Sequence, residues 1–355
     1  MTIARSGRGA PFLRRKTLVQ LVCVTGSLAG LVWLLGRIGW ATIGSALARV
    51  GWPALSILML LSWIETVADG AALWVVMGQR LRLGFAVTVN AAGSMLNLIL
   101  PWESGEVLKG TLLREQFGTQ PAISSTIIWN YVFKISRPTL STAAAFCGWA
   151  LCRETDGFIL GVILAANALA FIPYLGLRLF IRYGAAAGFL RVLAFIPILR
   201  RHPGHWVEVA HQIDREVKLF WRQRPVAYLQ VFFLQIVARM TGWASYFVAL
   251  RALGANYSFG QVSLAYATMN VAEYVVAVLP ARVGVSESSS FFLFKFLGLD
   301  PVLGVIMCVI LRVRTIVANG VVTPLAFLNW KPAGPAKGQP AALGAGEQRR
   351  EPGSP

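Results

Sequence analysis

The segment Leu100–Gly118, LPWESGEVLKGTLLREQFG, has a counterpart 179 positions later in Leu279–Gly298, LPARVGVSESSSFFLFKFLG. Both segments begin with Leu-Pro, place a glycine four residues after the proline, and carry a glutamate at or just after that glycine. Each follows a stretch rich in apolar and small residues, 83–100 and 258–279. Internal repetition sets the architecture of a chain. The sequence therefore predicts two equivalent halves.

The proline–glycine breaks predict helical hairpins at Phe85–Phe117 and Phe259–Leu297. About 18 apolar or small residues precede the first break and only about a dozen follow it, whereas a spanning helix needs roughly 20. Proline removes a backbone donor, and glycine permits a sharp reversal. We interpret both segments as re-entrant, because irregular backbone in a membrane is tolerated inside protein or beside a water-filled cavity. The alternative is ordinary loops, which would give eight spanning segments.

The composition indicates a polytopic membrane protein. Of 355 residues, 56% are hydrophobic and only 14% are charged, which is unlike a soluble domain. The net charge of +18 first indicates membrane topology and then attraction to anionic lipid, so we expect no nucleic-acid partner. The cysteines form no disulfide framework, and the spacing of the three histidines fits no zinc site. We expect no metal and no cofactor.

The predicted fold is an all-α membrane protein with six spanning helices and two re-entrant hairpins in an inverted repeat. The spanning helices are about Thr17–Leu35, Trp52–Met77, Ala122–Leu151, Gly157–Phe180, Val226–Leu250 and Val302–Leu328. The predicted domain boundaries are a basic cytoplasmic tail at 1–16, a transmembrane domain at 17–330 with halves 17–181 and 226–330, and a disordered tail at 331–355.

A basic segment, 182–225, joins the two halves. Its apolar residues Trp206, Ala210, Ile213, Val217 and Phe220 recur at helical spacing, which predicts an amphipathic helix on the membrane surface or, alternatively, a solvated linker. Lysines and arginines place this segment and both termini in the cytoplasm. The hairpins then enter from opposite faces, an arrangement that puts a transporter's substrate site at the midplane. We expect a multi-pass protein of the bacterial inner membrane.

Ionisable residues within apolar helices are costly and need either a partner or a function. Glu65 and Asp69 are four apart and share one helix face, where two like charges repel. They predict either a proton- or cation-coupling site or salt bridges to Lys134 or Arg137. Other basic and acidic candidates in these segments are Lys109, Arg239 and Glu273.

Arginine binds phosphate with two parallel hydrogen bonds. Arg312 and Arg314 therefore predict a lipid-headgroup site or, equally, ion pairs with Glu273 or Glu287. The second arm of each hairpin begins near its glycine, where free N–H groups favour an anion. Glu106 and Glu287 stand at these positions and offer capping as the alternative. Asn90 and Asn97 share one face of the first arm and predict either a polar cavity or interhelical hydrogen bonds.

These motifs resemble the lysylphosphatidylglycerol synthase transmembrane-region family, also called flippase-like membrane proteins. The resemblance covers roughly residues 15–330. In the first half it rests on a short ordered pattern, Asn97-x-x-Leu100-Pro101-x-x-x-Gly105-Glu106 followed by Leu113-Arg114. In the second half it rests on Pro280, Arg282, Gly284, Glu287 and Arg312. Lys109 differs from the arginine that relatives often have. The size looks most like the hopanoid-associated, HpnL-like branch.

The resemblance implies movement of a polar-headed or lipid-linked substrate between bilayer leaflets, with polar or anionic membrane lipids as partners. It also implies that this chain lacks the aminoacyl-transferase domain of full-length synthases, so we expect it not to be an enzyme. The rival hypothesis is a non-transporting accessory or scaffold protein that recruits a lipid-biosynthetic enzyme, such as one of hopanoid synthesis, through its basic cytoplasmic surface.

Overall fold

The computed structural model describes residues 40–99, 104–152, 157–172, 215–220, 222–276 and 285–328. These residues are helical or lie in short turns, and no strand occurs among them. The all-α class is thus confirmed for this part of the chain. The predicted helix Thr17–Leu35, the tail 331–355 and the prolines of both breaks lie outside the described residues.

The described helices repeat one pattern of lengths. They are α1 (Trp40–Val76), α2 (Leu83–Ile99), α3 (Ser104–Phe117), α4 (Thr119–Leu151), α5 (Gly157–Ala170), α6 (Pro225–Ala252), α7 (Phe259–Val276), α8 (Val285–Phe296) and α9 (Pro301–Leu328). A long helix, two short helices and a second long helix follow one another in α1–α4 and again in α6–α9. The order of elements therefore shows the two halves that the sequence repeat predicts.

Helix α1 changes direction at Gly51, whose φ of 73° and ψ of 158° are not helical. Positive φ is readily adopted by glycine because it has no Cβ. The part of α1 that follows, 52–76, matches the predicted spanning helix Trp52–Met77. It ends at Gly78, which also has a positive φ and donates its N–H to the carbonyl oxygen of Val75 at 2.9 Å.

A helix ends and another begins at each predicted break. Helices α3 and α8 contain 14 and 12 residues, so they are about 21 and 18 Å long at 1.5 Å per residue. The hydrocarbon core of a bilayer is about 30 Å thick. Neither helix is long enough to cross it alone, in agreement with the second hairpin arms expected from the sequence.

Three helices are long and apolar enough to cross a membrane among the residues described: Ala48–Val76, Pro225–Ala252 and Pro301–Leu328. Helix α4, with 33 residues, is also long enough, but its middle is polar. Helix α5 has 14 described residues. The chain is a multi-pass membrane protein by these features. The predicted number of six spanning helices stays a prediction, because Thr17–Leu35 and the end of Gly157–Phe180 lie outside the described residues.

The bundle has an apolar exterior, and its interior holds polar side chains beside two clusters of buried apolar residues. On α1, Trp52 and Leu60 are 83% and 58% exposed, whereas Ser62 and Asp69 on the same helix are buried. An apolar exterior suits contact with lipid, and intramembrane polar groups face the bundle interior. Helices of the two halves form this interior together, because α1 packs on α6, α4 on α7 and α2 on α9.

The arms of the first hairpin touch through glycines. A Cβ added to Gly105 would lie 1.9 Å from the carbonyl oxygen of Gly93. Gly105 is helical and is not among the residues with positive φ. Its role here is therefore close backbone approach, not the sharp reversal that the sequence suggested. Asn97 completes the junction, since its Oδ1 accepts the N–H of Gly105 at 2.7 Å.

The described end of the joining segment packs on the protein. In residues 215–220, Val217 and Phe220 are buried in the core cluster, whereas Arg215 and Lys218 are exposed. Glu216 accepts hydrogen bonds from Gln120, at 2.8 Å, and from Ser124. The amphipathic pattern is present in these residues, but its apolar face contacts other helices and not a membrane surface, because the bundle covers it.

Replacing Gly105 by alanine is expected to destabilise the protein. The new Cβ would clash with the backbone of Gly93, and relieving the clash would require one of the two helices to move. Overpacking of this kind costs about 1–3 kcal/mol. Gly110→Ala, on the same helix, is the control, because its nearest neighbour would be Thr126 Oγ1 at 3.9 Å. Thermal unfolding in detergent should show a lower midpoint for Gly105→Ala only. Equal midpoints would contradict the close contact.

Candidate functional site

A polar cavity of about 260 Å³ lies inside the bundle and adjoins a second of about 270 Å³. Glu65, Arg137, Arg239 and Glu273 line both. Ligand pockets in proteins measure roughly 300–1,000 Å³, so the two together reach the size of a small-molecule site. The first cavity is enclosed mainly by helices of the first half, and the second by helices of the second half.

Three helices supply the first cavity with polar side chains at helical spacing. Residues at i, i+3, i+4 and i+7 lie on one face of a helix, and each set follows this rule. The sets are Ser62, Glu65, Thr66 and Asp69 on α1, Asn90, Ser94 and Asn97 on α2, and Asn130, Phe133, Lys134 and Arg137 on α4. Each helix therefore presents a polar stripe to the interior.

Glu65 and Asp69 bind arginines of the second half. Asp69 forms an ion pair with Arg239 of α6, which also approaches Glu65 Oε1 with Nη1 at 3.6 Å. Arg314 of α9 donates from Nη2 to Glu65 Oε2 at 2.7 Å and also binds Ser245. Salt bridging, one of the two alternatives from the sequence, thus describes this conformation, with Arg239 and Arg314 as the partners.

A second cross-half ion pair lies between α4 and α7. Arg137 binds Glu273, and its Nε donates to Asn270 Oδ1 at 2.9 Å. The sequence had offered Glu273 as a partner of Arg312 or Arg314; in the structure Glu273 pairs with Arg137, while Arg314 pairs with Glu65. The side chains of Arg137 and Glu273 are 18% and 45% exposed, so this pair links the two halves at a partly exposed position.

Lys109 is almost completely buried beside the first hairpin, with 1% of its surface exposed. Its ammonium lies 2.9 Å from Glu106 Oε1 and 3.6 Å from the ring centroid of Trp129. Trp129 in turn donates its indole N–H to the carbonyl oxygen of Asp69 at 3.0 Å. A Cβ on Gly93 would lie 2.4 Å from Lys109 Cε. The glycine therefore makes room for the lysine stem.

Several buried polar atoms of the cavity walls have no hydrogen-bond partner in the described part of the chain. Three are acceptors: Oδ1 of Asp69, Oδ1 of Asn90 and Oε2 of Glu106. Two are donors, the Nε atoms of Arg239 and Arg314. Buried polar groups are nearly always hydrogen-bonded in proteins. The cavity walls thus offer unused acceptors and unused donors together.

The structure brings most of the predicted site residues to these cavities. Glu65, Asp69, Asn97, Glu106, Lys109, Lys134 and Arg137 line the first cavity, and Arg312 and Arg314 line the second. Arg114 is exposed and lies outside both, because it points away from the packed side of α3. Capping of α3 is by Asn97, while Glu106 pairs with Lys109.

Some predicted positions lie outside the described residues: Pro101, Pro280, Arg282 and Gly284, together with the three histidines. Glu287 is in α8, but its side chain is not described. Among the described residues, no group of three metal-ligating side chains occurs.

The sequence analysis did not predict two uncharged residues of the site, Asn319 and Asn270, because it considered mainly ionisable groups. Asn319 accepts a hydrogen bond from Thr66 at 3.0 Å, and Asn270 binds Arg137. Asn270 follows Asn90 by 180 positions, close to the spacing of the repeat. The recurrence of an asparagine at the repeat spacing could have indicated that Asn270 belongs to the site.

The family comparison agrees with these features. The family model described as Lysylphosphatidylglycerol synthase TM region matches residues 18–322. No curated protein and no solved structure matches the chain.

The Asp69–Arg239 ion pair is expected to show strong coupling. Removing one partner of a buried pair costs about 3–5 kcal/mol, so Asp69→Asn and Arg239→Gln should each lower the unfolding midpoint in detergent. The double variant should lose less than the sum of the two. Arg251→Gln is the control, since Arg251 is exposed. Additive losses would contradict direct pairing.

Proposed function

This chain belongs to the lysylphosphatidylglycerol synthase TM region family, and from that premise we propose that it moves a polar-headed lipid between the leaflets of a bilayer. The family points to a function connected with membrane lipids. The observation that carries the proposal is the partly open polar cavity that both halves line with ion pairs. A headgroup needs such a polar interior to cross the hydrocarbon region.

Two further features support transport over scaffolding. The first is the pair of interrupted helices, α2–α3 and α7–α8, beside the cavity; broken helices at the interface of repeats surround the substrate in many transporters. The second is that three ion pairs joining α1 with α6 and α9, and α4 with α7, all link the halves. A scaffold needs no polar interior. We propose that the hairpins are re-entrant and that the repeat is inverted.

The direction of the two hairpins is testable by cysteine accessibility. In a cysteine-free background, Trp102→Cys should react with a membrane-impermeant maleimide from the cytoplasmic side and Ala281→Cys from the opposite side. This outcome follows from the proposed orientation, with both termini in the cytoplasm, which the basic segments favour. Val321→Cys, at an exposed position of α9, is the control for background labelling. Reaction of both probes from the same side would contradict the inverted repeat.

Transport itself is testable in proteoliposomes. Vesicles containing the protein should expose fluorescent NBD-labelled phosphatidylglycerol of the inner leaflet to dithionite faster than protein-free vesicles do. Thr315 lines both cavities, so Thr315→Phe should slow this exposure severalfold by filling the path. Val321→Phe is the matched control, because Val321 lies on the same helix and is 63% exposed.

Both phenylalanine variants must elute as single species with an unchanged unfolding midpoint before their rates are compared. Wild-type protein that leaves the labelled lipid no more accessible than protein-free vesicles would contradict the proposal. If Thr315→Phe transports the lipid at the wild-type rate, the cavity is not part of the transport path.

A further inference from the structure

We infer that the first cavity takes an uncharged hydroxyl-bearing group, a glycerol or sugar moiety of the lipid headgroup. The inference deepens the proposed function, since it names the chemistry that the cavity recognises. It rests on the unpartnered acceptors of Asp69, Asn90 and Glu106 and on the unpartnered Nε donor of Arg239, four residues that all line this cavity.

The three acceptors lie at one helix junction. Gly70, beside Asp69, packs on Val87, because a Cβ on Gly70 would lie 2.5 Å from Val87 Cα. Asn90 follows Val87 by one helical turn. Both Asp69 and Asn90 are more than nine-tenths buried, at 6% and 1% exposure, and both line the cavity. Their free oxygens are thus part of an interior wall and not of the protein surface.

Glu106 belongs to the same junction. Its Oε1 holds Lys109, whose stem lies against Gly93, one turn beyond Asn90. Its second oxygen, Oε2, is buried without a partner among the described residues, and Glu106 is one of the residues that line the same cavity. Leaving a buried acceptor without a hydrogen bond is unfavourable. A ligand that donates hydrogen bonds to these oxygens would remove this penalty.

A cationic group fits this wall poorly. Each of the four acidic residues that line the cavities, Glu65, Asp69, Glu106 and Glu273, already has a basic partner. An ammonium would have to displace a lysine or an arginine from its carboxylate. It would also lie beside those displaced charges, and it would leave the free Nε donor of Arg239 unused.

An anionic group fits the same wall no better. A phosphate has acceptors only, so it would face the free oxygens of Asp69, Asn90 and Glu106 with no hydrogen to offer. Hydroxyl groups both donate and accept. They can satisfy the free acceptors and the Nε donor of Arg239 together, and they leave every ion pair intact.

The test compares lipids that differ in headgroup hydroxyls. The full chain is purified in lauryldimethylamine oxide, because maltoside and glucoside detergents carry sugars that would compete. Its unfolding midpoint is measured with phosphatidylglycerol, phosphatidylethanol, phosphatidylethanolamine or monoglucosyldiacylglycerol. A ligand of the folded state raises the midpoint with its affinity. Phosphatidylglycerol and phosphatidylethanol carry the same charge and differ in the hydroxyls.

We expect phosphatidylglycerol to stabilise the protein more than phosphatidylethanol, and monoglucosyldiacylglycerol to do so without any phosphate. If only phosphatidylglycerol stabilises the protein, the cavity recognises the phosphate together with the hydroxyls. That result would overturn the inference that the ligand group is uncharged. If phosphatidylethanolamine stabilises the protein most, the free acceptors bind an ammonium group, and the inference is overturned. Equal midpoints for phosphatidylglycerol and phosphatidylethanol would show that the hydroxyls are not recognised, and would also overturn the inference.

Asn90→Leu removes one acceptor at nearly constant volume and should abolish the difference between phosphatidylglycerol and phosphatidylethanol. Asn167→Leu is the matched control, because Asn167 is also 1% exposed with an unpartnered Oδ1 but lines neither cavity. A difference that survives Asn90→Leu would contradict the site. If Asn90→Leu does not fold, the order of the four lipids on wild-type protein decides. Transport of NBD-labelled phosphatidylglycerol in vesicles is scored separately, so loss of hydroxyl selectivity leaves the proposed function standing.

Discussion

The pairing of Glu65 and Asp69 with Arg239 and Arg314 is the interaction on which the rest of this structure depends. Two acids on one face of α1 would repel each other in an apolar bundle. Arginines from α6 and α9 neutralise them. A charge left alone at this depth is costly, so the second half of the chain must pack on α1 where it does. The polar cavity is a consequence, because these side chains enclose space among them.

Close helix approach is the second requirement. Gly93 and Gly105 let the arms of the first hairpin touch backbone to backbone, and Gly148 and Gly260 do the same for α4 and α7. Small residues at helix contacts are how membrane bundles gain packing energy without a hydrophobic driving force between helices. The same glycines bring Lys109, with its long stem, into the interior beside Glu106.

The two halves repeat in sequence but differ in their contacts. Asn270 of α7 accepts a hydrogen bond from Arg137 of α4. Its counterpart Asn90 lies on α2, which packs on α9 as α7 packs on α4. Yet Asn90 Oδ1 has no partner among the described residues, whereas Arg314 of α9 binds Glu65 and Ser245. The two halves thus use equivalent helices for different polar contacts.

The sequence by itself determined the membrane class, the two halves, the helix–break–helix order and most of the charged residues of the site. Apolar length, proline and glycine act locally, so they can be seen in sequence. Only the tertiary structure decided which acid binds which base, because the choice between Arg239 and Arg137 for Asp69 depends on helix packing and not on spacing. It also decided that Gly105 serves close approach, that Arg114 stays outside, and that uncharged asparagines complete the cavity. The ion pairs between the halves join residues 136 to 249 positions apart, and the local pattern carries no information about such contacts.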